Sequence, residues 1–272
     1  MAERTRGSIE KAVVAVPARL QSSRLPNKVL ADIGGMPMIQ RVLQRCGEAA
    51  DVDAVVLCTD SVQLQHLAEG WGFPVLMTSP ECSSGSERIA SVADALMDLA
   101  WVDQPRDPQR TAVINVQGDQ PFIDPAVIEA MVAEFQRRDP LPEVVTPVYG
   151  LSEATVHNPN VVKTLLSHDG RALYFSRSAI PHVRDVAPSE WHQHTDYWGH
   201  VGMYGFRADV LAAWDQLPES PLEDLERLEQ LRLIEAGYTV ATFLVEGTSL
   251  SVDTADQLEQ ARQIASAGSL VS

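Results

Sequence analysis

The chain of 272 residues is 45% hydrophobic, 21% charged and 6% aromatic, enough apolar material to bury a sizeable core without disulfides or structural metals. Its 21 Lys and Arg against 37 Asp and Glu leave a net charge of −16, a field that repels polyanions and argues against nucleic-acid binding. No run approaches the roughly 20 apolar residues of a membrane helix, the apolar run 12–17 is too short for the core of a signal peptide, and Cys46, Cys58 and Cys82 form no CxxC pair, so a cytoplasmic protein free of any membrane is expected.

Residues 1–10 read as a flexible tail. The charge within 1–30 is opposite to that of the rest: Arg4, Arg6, Lys11, Arg19, Arg24 and Lys28 face only Glu3 and Glu10, a net of +4 that leaves −20 for the other residues. Such a basic cluster on an acidic protein suits a small anion, although Arg4 and Arg6 read better as solvated tail. The Val-rich runs 12–16, 54–58, 74–77 and 112–116, bounded by Gly, Pro, Asp or Ser, are predicted as buried strands. Between them, Met38, Ile39, Val42, Leu43 and Cys46 recur at helical spacing, as do Ile89, Val92, Ala93 and Leu96 behind the possible caps Ser84 and Ser86. A third helix starts at Pro125 and runs to about Arg138.

After this alternation the strands 144–149, 161–166, 172–176 and 200–206 come before another strong helix, which predicts an antiparallel insertion at about 150–207 in an otherwise mostly parallel α/β sheet. Leu222, Leu225, Leu228 and Leu231 mark a helix of about sixteen residues ending at Gly237; a strand at 239–245 and a helix at 254–267 follow. The stretches 101–110 and 185–197 are long loops, the second expected to be mobile, and neither separates domains, so 1–272 reads as a single domain carrying its insertion.

Two strand ends carry chemistry. The first strand runs into Pro17-Ala18-Arg19-Leu20-Gln21-Ser22-Ser23-Arg24-Leu25-Pro26-Asn27-Lys28, beyond the carboxyl edge of the sheet, where open α/β folds bind ligands. Two guanidinium forks and an ammonium there could surround a polyphosphate, a solvated basic loop being the plain alternative; the loop is neither a Walker A nor a GxGxxG motif. The strand 112–116 ends in Gln117-Gly118-Asp119, and Asp253 precedes the last helix. Paired with phosphate oxygens and water, two such aspartates suit Mg2+; taken singly, each reads as a turn or N-cap residue. His182, His192, His194 and His200 fit no zinc spacing.

Read together, PARLQSSRLPNK from Pro17, SSGSERIA from Ser83, VINVQGDQPFI from Val113, NPNVVK from Asn158, ALYFSRSAIP from Ala172, HVGMYGFR from His200, PLEDLERLEQLR from Pro221 and VDT from Val252 resemble, in order and over nearly the whole chain, the 3-deoxy-manno-octulosonate cytidylyltransferase family. The resemblance implies a Rossmann-like three-layer nucleotidyltransferase fold with a mixed, mostly parallel sheet. It also implies a homodimer that transfers CMP from CTP to a 2-keto-3-deoxy acid sugar, for lipopolysaccharide biosynthesis. In that family Arg19, Arg24 and Lys28 would hold the triphosphate and Asp119 with Asp253 would bind Mg2+. Ser22, Ser84, Gly85 and Gln117 would line the nucleotide pocket, while Arg177, His200 and Gln230, with the adjacent Glu229, would face the sugar.

Two positions depart from the pattern: Cys82 stands where the family often has histidine, and His182-Val183 where it commonly has tryptophan and an acidic residue. Both bear on which acid sugar is taken, an 8-amino analogue and a sialic-type acid being the alternatives, since one or two pocket contacts shift discrimination by only about 1–3 kcal/mol. A glycosyltransferase would show DxD where this chain has Gly118-Asp119-Gln120, and a noncatalytic relative would have lost a metal aspartate or phosphate cation, all of which are present.

Overall fold

The computed structural model describes residues 8–21, 25–247 and 250–268. Strands β1 (Lys11–Ala18), β2 (Ala54–Thr59), β3 (Val75–Met77) and β4 (Thr111–Asn115) lie in the order β3-β2-β1-β4 and are all parallel. Their β-branched residues are buried on both faces, as a sheet covered by helices requires. Val14 and Val16 join Ile39, Val42 and Leu43 of α1 (Met38–Gly47), Leu64 of α2 (Val62–Gly70) and Met131 and Phe135 of α5 (Pro125–Arg137) in one core. Val13 and Ala15 point the other way, to Ile89 of α3 (Gly85–Ala90) and Leu96 of α4 (Ala93–Ala100). The period of two along β1 thus builds a three-layer sandwich.

The remaining strands are β5 (Val144–Gly150), β6 (Lys163–Leu166), β7 (Ala172–Ser176), β8 (Trp198–His200), β9 (Tyr204–Arg207) and β10 (Val240–Leu244). They extend the sheet as β4-β9-β5-β8-β6-β7, with β10 parallel to β5, making ten strands among the described residues. The single strand expected at 200–206 is split. β9 is antiparallel to β4 while β8 is antiparallel to β6, and β5 pairs with both, so the break at 201–203 carries one strand from the central sheet into the antiparallel insertion. Thr146 closes the break, its hydroxyl donating to the Met203 carbonyl at 2.7 Å.

The helix expected from 221 to 237 is also two helices, α8 (Pro221–Glu226) and α9 (Gln230–Glu235), following α6 (Glu153–Val156) and α7 (Ala208–Ala212) in the chain. Arg227 ends α8 in the left-handed region at φ 56°, and the leucine stripe divides there: Leu225 is 80% exposed, whereas Leu228 and Leu231 are buried. The helix expected behind Ser84 likewise breaks at Val92 into α3 and α4. The loop 185–197 has its own apolar anchor, in which Trp191 and Tyr197 are buried with Val156 and the Tyr197 hydroxyl donates to the Pro181 carbonyl at 2.6 Å. Helix α10 (Ala255–Gly268) docks Leu258 and Ala261 against Ile33 and Met38, bringing the end of the chain back over the loop that follows β1.

Candidate active site

β1 and β4 are parallel neighbours, so the segments leaving their carboxyl ends lie side by side. Between them opens a cavity of about 270 Å3 lined by Pro17, Arg19, Gln21, Lys28, the turn 82–85, Arg88, Gln117, Gly118, Asp119 and Asp253. Gly118 is required by the close approach of the two segments: a Cβ on it would lie 3.0 Å from the Pro17 carbonyl oxygen and 3.1 Å from Ile39. Arg19, Lys28, Ser84, Gly85, Gln117, Asp119 and Asp253, seven of the residues singled out in the sequence, share this one cavity. Ser22 and Arg24 lie outside the described residues, as does most of the expected tail, residues 1–7.

Lys28 sits at the centre. Its Nζ donates to Asp119 Oδ2 at 2.8 Å and to Asp253 Oδ1 at 2.9 Å, so two carboxylates 134 residues apart in sequence converge on one cation. Burial alone would lower the lysine's pKa, but the two aspartates outweigh it and hold the ammonium above its ordinary range. The backbone makes the convergence possible, because the Val252 N–H donates to the Asp119 carbonyl at 2.9 Å. Asp253 is not the cap of α10. Thr254 takes that role, its hydroxyl accepting from the Gln257 N–H at 3.3 Å while Gln257 Oε1 accepts from the Thr254 N–H at 3.0 Å, a capping box beside which the Asp253 carboxylate meets Lys28. Arg19 is exposed at the rim with no carboxylate partner among the described residues.

The opposite wall begins at Ser84, which caps α3 by accepting from the Glu87 N–H at 3.1 Å. Ser86 is no cap; it is buried and belongs to a polar chain running away from the cavity. Gln117 Nε2 donates to Asn115 Oδ1 at 3.0 Å, Asn115 Nδ2 to Ser86 Oγ at 3.3 Å, and the Ser86 hydroxyl to Glu229 Oε1 at 2.9 Å. Asn115 carries no expectation from the sequence and Ser86 only that of a cap, although an amide side chain inside the apolar run 112–116, wholly buried in the structure, is a legible signal. Glu87 and Arg88 do not pair with each other. Glu87 accepts from the Ser83 N–H at 2.7 Å, and Arg88 forms the cavity wall, paired with Asp60 at 3.3 Å.

The four residues expected to face a sugar line none of this cavity. Arg177 donates from Nε to the Glu226 carbonyl at 2.8 Å and from its terminal nitrogens to Pro159 and Arg227 carbonyls at 3.2 and 3.4 Å, tying β7 to the end of α8. The break at Arg227 turns both of its followers inward. Glu229 reaches Ser86, and burial pushes its carboxyl pKa up despite hydrogen bonds from Ser86 and Ser84. Gln230 is buried, its Oε1 accepting from the Tyr204 hydroxyl at 2.9 Å and its Nε2 left without a partner among the described residues. His200 Nε2 is 2.9 Å from Thr146 Oγ1, and the ring meets Phe175 and Tyr204.

Burial lowers the His200 pKa from 6.5 to about 3, so the folded protein holds a neutral imidazole. The stabilisation from keeping it neutral is complete above the unfolded value and is lost as pH falls from 6.5 toward 3. The expected result is a His200 ring resonance that stays flat between about pH 5 and 8; a midpoint near 6.5 would show the ring to be solvated.

The family model described as "Cytidylyltransferase" matches residues 13–243. Over 256 residues the chain is 40% identical to the 3-deoxy-manno-octulosonate cytidylyltransferase of Chlorobaculum tepidum, covering 93% of this chain and 96% of that protein. It is 39% identical to that of Myxococcus xanthus, covering 92% and 94%. A solved structure of CMP:2-keto-3-deoxy-manno-octonic acid synthetase complexed with CTP superposes with a TM-score of 0.85 at 38% identity, covering 95% of this chain and 99% of that one. A putative glucose-1-phosphate thymidylyltransferase from Bacillus anthracis, 14% identical with a TM-score of 0.62, shares the fold.

Proposed function

The chain belongs to the family of the 3-deoxy-manno-octulosonate cytidylyltransferases, and we propose from that premise that it transfers CMP from CTP to 3-deoxy-manno-octulosonate, supplying an activated acid sugar for lipopolysaccharide. The anomeric hydroxyl of the sugar attacks the α-phosphorus; the bond from that phosphorus to the β-phosphate oxygen breaks, pyrophosphate leaves with the electron pair, and the hydroxyl proton passes to solvent. The observation that carries the reading is the convergence of Lys28, Asp119 and Asp253 at the joined ends of β1 and β4.

Such a transfer gathers negative charge around phosphorus, so positioning and charge stabilisation are the main tasks of the protein. Lys28 and Arg19 hold the triphosphate, with Arg24 of the same loop, while Ser22, Ser84, Gly85 and Gln117 line the nucleotide pocket. Asp119 and Asp253 fit Mg2+: they are hard oxygen donors that already meet on one cation, and magnesium takes one or two carboxylates together with phosphate and water. When bound, the ion would supply charge neutralisation at the α-phosphate and a lowered pKa for the attacking hydroxyl. The acid sugar is assigned to Arg177, His200, Gln230 and Glu229, a reading supported by the inward turn of the last two and by the unpartnered Gln230 Nε2.

The chain is further taken as a single nucleotidyltransferase domain with an insertion at about 150–207, and as a cytoplasmic homodimer. Among the described residues no helix is long and apolar enough to cross a membrane. The exposed Leu173 on β7, the last strand of the sheet, supports a subunit contact there; light scattering should return twice the 29.7 kDa chain mass, and the single-chain mass would refute the dimer.

Cys46 and Cys58 are fully buried, their thiol pKa values pushed up to about 12 by burial, whereas Cys82 lines the cavity. Native protein should therefore take up one equivalent of a thiol reagent, slowed by CTP, and three after denaturation; labelling indifferent to CTP would move Cys82 away from the nucleotide. The function itself is tested by pyrophosphate release with CTP and Mg2+, comparing 3-deoxy-manno-octulosonate with its 8-amino analogue and with N-acetylneuraminate. Release with the first sugar and little with the others supports the assignment, and release with another sugar alone would replace the substrate.

A further inference from the structure

The chain of hydrogen bonds behind Gln117 has only one possible direction while Glu229 is ionised. A carboxylate accepts and does not donate, so the proton of the Ser86 hydroxyl points to Glu229 Oε1, 2.9 Å away. The Ser86 oxygen is then left to accept, and it does so from Asn115 Nδ2 at 3.3 Å. With its amide nitrogen so engaged, Asn115 presents Oδ1 to Gln117, whose Nε2 donates at 3.0 Å. Gln117 Oε1 is thereby directed away from the chain and has no partner among the described residues, on a side chain that lines the cavity. Turning the Gln117 amide over would set two oxygens against each other unless Asn115 turned as well. Ser86 would then have to donate to Asn115 and leave its lone pairs facing the Glu229 carboxylate, a buried mismatch. Gly85 leaves the amide its room, since a Cβ there would lie 3.0 Å from Gln117 Nε2 and 3.1 Å from Oε1.

We infer that Asn115 and Ser86 are positioning residues that lock Gln117 with its carbonyl oxygen toward the cavity, so that the bound nucleotide must offer a hydrogen-bond donor at that point. Neither residue touches the cavity; both act through Gln117. CTP carries three donors that could meet this oxygen, the exocyclic amine of cytosine and the ribose 2′- and 3′-hydroxyls. UTP replaces the amine by an acceptor, 2′-deoxy-CTP lacks the first hydroxyl and 3′-deoxy-CTP the second. A site built to hydrogen-bond a donor rejects the analogue without it, because its own buried polar group is left unpaired.

The inference rests on the nucleotidyltransferase reading, and binding measurements separate the two. Dissociation constants for CTP, UTP, 2′-deoxy-CTP and 3′-deoxy-CTP are measured by calorimetry on the wild-type protein and on Ser86→Ala, Asn115→Ala and Ser86→Thr, each checked for native circular dichroism. In Ser86→Ala and Asn115→Ala, preference for CTP over one analogue should fall about tenfold, the worth of one directed hydrogen bond. A fall against UTP assigns the amine, and a fall against 2′-deoxy-CTP or 3′-deoxy-CTP the corresponding hydroxyl. Ser86→Thr, which keeps the hydroxyl, should retain the wild-type preference. Unchanged preferences in whichever of the two alanine variants folds would overturn the inference, as would a wild-type protein indifferent to all three analogues. Pyrophosphate release by the wild-type protein is followed separately: its absence, with nucleotide selectivity present, would sink the enzymatic reading and leave the relay standing.

Discussion

Asp119→Ala should lower turnover by about a thousandfold or more, measured as pyrophosphate release, while the protein keeps native circular dichroism and still binds CTP. The size follows from what the carboxylate is proposed to do: it would hold the Mg2+ that neutralises charge at the α-phosphate, and losing such stabilisation costs several kcal/mol of the barrier. The fold should tolerate the change, because Asp119 follows the strand rather than filling a core layer, and its backbone carbonyl, which holds Val252, is untouched. Asp253→Ala should behave alike, since both carboxylates meet the same ammonium. Asp119→Asn keeps the shape and removes the charge, so its activity should be equally low. Near-normal magnesium-dependent turnover in either alanine variant would remove that aspartate from the metal site.

Lys28→Ala has two effects of opposite sign. It removes the cation proposed to meet the triphosphate, which should lower kcat/KM for CTP by about a hundredfold or more. It also removes the ammonium that neutralises Asp119 and Asp253, only 12% exposed where it bridges them, so the two carboxylates face one another unscreened and should bind Mg2+ several times more tightly. A nonspecific loss of structure would weaken both. Lys28→Arg should rescue poorly, because a planar guanidinium fork cannot replace a point charge between two carboxylates. Unchanged kcat/KM would return the loop to solvated surface.

The catalytic edge of the fold was legible because its signals are local. A Val-rich run ending in small and charged residues marks a buried parallel strand and the loop beyond it, and β1 and β4 both read that way. Asp253 was harder, since a residue before a helix reads as its cap, and only the capping box of Thr254 and Gln257 shows that its carboxylate is not the cap. Three element boundaries were missed for tertiary reasons. Leucines spaced by threes at 222–231 mimic one helical stripe, but Arg227 adopts the left-handed region with its carbonyl taken by Arg177, a partner 50 residues away. The strand at 200–206 divides because β8 and β9 serve different neighbours, which sequence periodicity cannot express. Val92 interrupts α3 and α4 with no glycine or proline to announce it. Helix α2 was left unassigned, only Leu64 and Ala68 being buried along it, too few to make a stripe. The resemblance supplied what spacing could not, the sugar-facing candidates Arg177, His200, Glu229 and Gln230.

Phosphorus chemistry is expected at the α-position of CTP, between Lys28 and the paired aspartates, and a phosphorus-31 spectrum of the protein incubated with CTP, 3-deoxy-manno-octulosonate and Mg2+ reads it out. The three CTP resonances should give way to pyrophosphate and a single CMP-sugar phosphodiester in equal amounts, and neither should form with Asp119→Ala. Appearance of CDP and inorganic phosphate, which places the cleavage between the β- and γ-phosphates, or an unchanged CTP spectrum with active wild-type protein, would contradict it.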